Sequence, residues 1–115
     1  MTPKVDSLLY FSNDRKTVTV TGPIDDWQKD EAAAVFSVVI SQASGNGAGP
    51  TTAIGSSTVM YEPDANRWVA VARITRDGMQ LRAGDATARA WATIAQPSGG
   101  AEAYKWTVDT KLQGH

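Results

Sequence analysis

Alternation of apolar and polar positions is the dominant pattern along this chain. Residues 17–21 read TVTVT, which puts Val18 and Val20 on one side of an extended segment and threonines on the other. A period of two is what a half-buried β-strand requires. Residues 35–42, VFSVVISQ, place Phe36, Val38 and Ile40 on one face and Ser37 and Ser41 on the other. The same reading gives strands at residues 7–12, 56–61, 67–75, 86–95 and 103–112, with residues 79–82 as a further short one.

Reversal signals separate these segments. Ser12-Asn13-Asp14, Gly22-Pro23, Glu62-Pro63-Asp64, Asp77-Gly78, Ala83-Gly84-Asp85 and Pro97-Ser98-Gly99-Gly100 supply Gly, Pro, Asn or Asp where the backbone must turn. Short strands punctuated every 8–12 residues or so predict an antiparallel sandwich of seven to eight strands, an all-β fold. No helical period competes. A single helical turn is expected within residues 25–34, where acidic residues precede Ala32-Ala33-Ala34. Residues 44–57, SGNGAGPTTAIGSS, are small and Gly-rich and are expected to form the longest irregular loop.

The second half of the chain carries a resemblance. Leu81-Arg82-Ala83-Gly84-Asp85 followed by the alternating residues 86–92 resembles the corner before the penultimate strand of immunoglobulin-like and fibronectin-type sandwiches. There a leucine precedes a tight turn, and an alternating strand follows. The resemblance implies an immunoglobulin-like sandwich, with Trp68 in the role of the central core tryptophan. Neither Ala86 nor Ala88 is the tyrosine of such corners, and the chain lacks the cysteine pair. Such sandwiches host many unrelated roles, so the resemblance implies architecture and no function.

Composition narrows the chemistry. With 115 residues, 42% hydrophobic and 20% charged, the chain fits one domain, residues 1–115, with one core. It has no cysteine, which removes thiolate catalysis, thiolate zinc sites and disulfides. The single histidine, His115, is the last residue, where ordering is least expected, so no Ser-His-Asp arrangement is expected. No basic segment leads into an apolar run at the N-terminus, so a cytoplasmic, soluble protein is expected. A net charge of −1 offers no overall footprint for nucleic acid or membrane. The charge is uneven, because residues 67–89 carry Arg67, Arg73, Arg76, Arg82 and Arg89 against Asp77 and Asp85, a basic strip if one sheet holds them.

Two places remain for a ligand or partner. Asp25, Asp26, Asp30 and Glu31 surround Trp27 within GPIDDWQKDEAAA, and four carboxylates in one loop supply the oxygen ligands calcium prefers. Their spacing departs from a known calcium-loop register. The alternative is a solvated acidic turn in which Trp27 folds over the open end of the sandwich. In residues 86–95, Ala86, Ala88, Ala90, Ala92 and Ile94 share one face, and Thr87, Arg89, Trp91 and Thr93 the other. If the alanines face inward, Trp91 and Arg89 share a polar outer face able to stack on a sugar ring or fill a partner's pocket. If Trp91 faces inward, it is core.

The expected function is a non-catalytic binding or assembly module, acting through a sheet face or an edge strand toward a protein partner or a second copy, as a homo-oligomer. The alternative is a small calcium-dependent carbohydrate-binding domain using the 25–31 loop, with Trp27 as the stacking ring.

Overall fold

A computed structural model of the protein describes residues 2–27, 31, 33–43, 50–61, 67–95 and 100–114. Among them are eight β-strands and no helix: β1 (Thr2–Pro3), β2 (Leu8–Phe11), β3 (Thr17–Asp25), β4 (Ala33–Gln42), β5 (Thr51–Met60), β6 (Arg67–Ile74), β7 (Gly84–Ala95) and β8 (Ala101–Gly114). The alternating segments of the sequence become strands with their apolar parity inward. Val18 and Val20 of β3 are buried, as are Phe36, Val38 and Ile40 of β4. Residues 79–82, expected as a short strand, lie in the β6–β7 connection. The helical turn expected at residues 25–34 does not form among the described residues, because β3 runs on through Asp25 and β4 begins at Ala33.

Strand neighbours run β1-β3-β2-β8-β7-β4-β5-β6, and β6 pairs back onto β3. The neighbours β1-β3-β6 and β4-β7-β8 are those of A-B-E and C-F-G in an immunoglobulin-like domain, so the architecture is immunoglobulin-like. Two features depart from the expected antiparallel sandwich. First, β2 runs parallel to β8, with Leu8 opposite Lys111 and Phe11 opposite Gly114. Second, the sheet closes into a barrel.

Closure comes from β5. The segment expected as the longest loop is strand from Thr51 onward, paired with β4 along its whole length and joined to β6 through Ala53 opposite Ile74 and Ile54 opposite Arg73. Small residues and hydroxyls had hidden it from a hydrophobic period. Gly55 makes the closure feasible. A Cβ there would sit 2.1 Å from the Val71 carbonyl oxygen, so only glycine lets the β6 backbone lie against β5. Past this contact, β5 and β6 part. Residues 56–60 of β5 pair only with β4, and residues 67–72 of β6 pair only with β3. The molecule is closed at one end and split into two layers at the other.

Trp68 of β6 fills the space between the layers. It is 1% exposed, stacks on Phe36 of β4 at 4.6 Å between centroids and 4° between planes, and meets Trp106 of β8 edge-on at 6.4 Å. The alanines of β7 set the width it occupies. Ala92 pairs with Phe36, and Ala90 pairs with Val38 on one side and Trp106 on the other, so a row of small side chains runs between two rows of large ones. The indole Nε1–H donates to the Lys4 carbonyl at 2.7 Å. Gly22, opposite Trp68, admits that carbonyl, since a Cβ on it would stand 1.7 Å from the Lys4 oxygen. The tryptophan thus has a core role as the resemblance implies, but it enters from the E-equivalent strand, where an immunoglobulin domain supplies it from C.

The corner at Leu81 is built without a tyrosine. Leu81 is fully buried, and its N–H donates to the Arg15 carbonyl at 2.9 Å. The buried Gln42 side chain then grips the following residues. Its Oε1 accepts from the Arg82 N–H at 3.1 Å, and its Nε2 donates to the Arg82 carbonyl at 2.8 Å and more weakly to that of Asp85 at 3.4 Å. One side-chain amide therefore satisfies three backbone groups of the turn.

Gly55→Ala should cost about 2 kcal/mol or more, because the methyl has only backbone to displace. Denaturant unfolding of the purified variant checks it, and a midpoint equal to the parent's would show that β5 and β6 do not close the barrel.

Candidate binding surfaces

The inward alanine parity settles where the β7 residues point. Ala88, Ala90, Ala92 and Ile94 are buried, so Thr87, Arg89, Trp91 and Thr93 lie on the outer face. Strand register then builds that face row by row. Trp91 stands between Ser37 of β4 and Lys105 of β8, with Ser56 of β5 beyond Ser37. Arg89 stands between Val39 and Thr107, and Thr93 between Val35 and Ala103. The result is a sheet surface of hydroxyls and small aliphatics with one half-buried indole on it. Arg89, Ala90, Trp91, Lys105, Trp106 and Thr107 line a groove of about 400 Å³ there.

Lys105 is the residue that sequence reading missed. It is fourteen positions from Trp91 in the chain and becomes its direct cross-strand partner only through the β7–β8 register. Among the described residues, neither Arg89 nor Lys105 has an ion-pair partner. The other arginines do not join Arg89 in a strip. Arg67 and Arg73 lie on β6 in the opposite layer, Arg76 and Arg82 in the β6–β7 connection, and Arg89 on β7. Arg67 is engaged with Asp6, whose carboxylate also accepts from Thr21 Oγ1 at 2.6 Å, and the Arg82 guanidinium donates to the Ala43 carbonyl.

The acidic stretch is dispersed. Asp25 ends β3 and pairs with Lys4 at 3.0 Å, both side chains half-exposed. Asp26 follows in the left-handed region at φ 55° and is exposed. Trp27 packs partly buried against the core, donates its Nε1–H to the Glu31 carbonyl at 2.6 Å, and meets Tyr61 edge-on at 5.5 Å. It covers core, as the acidic-turn reading expected. Glu31, though, is 7% exposed and is not a solvated carboxylate. Near it on the split end of the barrel, the Glu102 carboxylate pushes the Tyr104 phenol up, with lesser contributions from desolvation and Glu31. Asp30 lies outside the described residues. Among the described residues, no three carboxylates or other ligating side chains gather as a metal site requires.

The third surface is an edge. β8 pairs with β7 in one unbroken register from Ala101 to Leu112, but on its other side β2 begins only at Lys111. The Thr110 hydroxyl donates to the Asp6 carbonyl at 2.8 Å just before that point. Among the described residues, positions 101–109 therefore have no strand on this side. That is about 30 Å of free edge at roughly 3.3 Å per residue. The segment contains no proline, glycine or bulge.

No protein-family model matches this chain, and no curated protein does. Solved structures similar to it include murine CRIg, with TM-score 0.42 and 10% identity over 99% of this chain and 97% of that one. Another is AggA, the major subunit of aggregative adherence fimbriae type I from Escherichia coli, with TM-score 0.43 and 11% identity over 99% of this chain and 93% of that one. At such identities the likeness concerns fold alone, and neither protein's role is carried to this chain.

Two outcomes are expected here. Trp91→Ala should leave the unfolding free energy within about 1 kcal/mol of the parent, whereas Trp68→Ala should lose about 3–5 kcal/mol, as truncation of a buried aromatic does. Urea unfolding of both variants separates outer-face from core tryptophan, and a severe loss with Trp91→Ala would make it structural. Thermal unfolding in excess calcium and in EDTA should give the same midpoint, since Asp25 already has a cation and Glu31 is buried. A rise of several degrees with calcium would instead reveal an oxygen-ligand site.

Proposed function

We propose that this domain is a non-catalytic assembly module that associates with a second copy of itself through the free edge of β8. The carrying observation is that edge, long, regular and uninterrupted, beside a strand partner that starts only at Lys111. An exposed strand edge is a row of unpaired N–H and C=O groups, and another strand satisfies it best. Antiparallel pairing of two β8 strands about a two-fold axis uses the same surface on both copies.

Charge and sterics favour one register. Tyr104 opposite its symmetry mate makes a cross-strand aromatic pair. Lys105 then faces Ala103 of the second copy instead of another lysine, and pairing over residues 101–107 stays clear of β2. Registers centred on Lys105 oppose like charges. Those centred nearer Lys111 drive the second copy into β2.

The absence of cysteine makes a direct test available. Tyr104→Cys should form a disulfide-linked dimer under mild oxidation, while a control cysteine at Ser56, on the outer face of β5, should not. Sedimentation of the parent should show a dimer, and Tyr104→Lys, which opposes two ammonium groups on the axis, should sediment as a folded monomer whose unfolding midpoint no longer rises with protein concentration. A parent that stays monomeric at its highest attainable concentration refutes this reading.

A further inference from the structure

The groove beside Trp91 opens on the outer face of β7 and β8, alongside the β8 edge, and asks for a different occupant. Trp91 is half-buried on the outer face. Lys105 is its cross-strand partner, and Arg89 lies two residues before it on the same face. Arg89 and Lys105 are diagonal neighbours across β7 and β8, about 7–8 Å apart at that spacing. Neither cation forms an ion pair with a described residue, although Asp109 stands at the same diagonal spacing from Arg89 as Lys105 does. Ser37, Thr93 and Thr107 place hydroxyl groups around the indole.

We propose that this groove binds an anionic oligosaccharide of the uronate type, one pyranose ring lying on Trp91 and the carboxylates of adjoining rings meeting Arg89 and Lys105. Each part of the surface answers one part of that ligand. The C–H face of a pyranose stacks on an aromatic plane, and aromatic side chains carry much of the binding where one partner surface is flat. Two cations on one face favour a ligand with more than one negative charge over a lone acid. Threonine and serine hydroxyls complement sugar hydroxyls as donors and acceptors. A denser polyanion fits less well. Asp109 sits on the same face beyond Thr107, and the chain's net charge of −1 opposes an extended phosphate backbone.

The test is a titration of the isotope-labelled 115-residue protein with tetragalacturonate, followed through the Trp91 indole resonance, with neutral cellotetraose and an oligothymidine run in parallel. The uronate should shift the Trp91 indole and the Arg89 and Lys105 backbone amides, and cellotetraose should shift them much less. Arg89→Glu combined with Lys105→Glu should abolish the shift without altering the unfolding midpoint, and Trp91→Ala should abolish binding measured calorimetrically. Raising salt from about 0.1 M to 1 M should weaken uronate binding on the order of tenfold, as the Debye length falls below the contact spacing. Silence of the Trp91 indole, equal binding of cellotetraose, or binding retained in the double glutamate variant overturns the proposal. Preference for the oligothymidine overturns it in favour of single-stranded nucleic acid. A Tyr104→Lys monomer that still binds the uronate keeps this site distinct from the β8 edge.

Discussion

One hydrogen bond sits under the whole core, the donation of the Trp68 indole N–H to the Lys4 carbonyl. A tryptophan buried to this degree contributes a large apolar surface but carries a donor that is costly to strand. Lys4 resolves the conflict only because Gly22 has no side chain to hold the N-terminal segment away. With the indole anchored, its face is fixed against Phe36 and its edge against Trp106, and the spacing of the two layers follows. The alanine row of β7 is the counterpart of that choice, because larger residues there would fill the width the three rings need.

Burying the alanines also decides what remains outside. Strand parity sends every second residue of β7 to the opposite face, so the packing that uses Ala88, Ala90 and Ala92 exports Arg89 and Trp91. Core and candidate binding surface are two sides of one constraint. The split end of the barrel has the same origin. β5 and β6 meet only where Gly55 permits, and beyond it the strands separate around Trp68 and Trp27.

Much of the fold was legible in the sequence. TVTVT and VFSVVISQ announced β3 and β4 with the correct inward parity, because each strand has one buried and one exposed face. Leu81 and the turn after it marked the corner. Other features were hidden for physical reasons. Residues 51–57 lack a hydrophobic period, since β5 buries small side chains and uses its backbone to close the barrel. Gln42 reads as a polar strand end, and its turn lies some forty residues away. The parallel pairing of β2 with β8 leaves no local signal. At the candidate surfaces, Trp91 and Arg89 followed from parity alone, whereas Lys105 needed the hairpin register and the β8 edge needed the knowledge of where β2 stops. Glu31 looked like one more solvated carboxylate, and nothing in its neighbours along the chain showed that the backbone would turn it inward.

The parallel pairing of Leu8–Phe11 with Lys111–Gly114 also fixes the order in which the fold can be completed. These segments are separated by almost the whole sequence, so their contact carries the greatest loop-closure cost in the molecule. On a ribosome, β2 is synthesised before β3 and can pair with it, but its second neighbour, β8, is the last of the described strands to be made. Until then β2 is itself an edge strand, with Leu9 and Phe11 awaiting the final layer. The nascent domain is therefore most open to mispairing late in its synthesis, when nearly all of its core residues have already emerged.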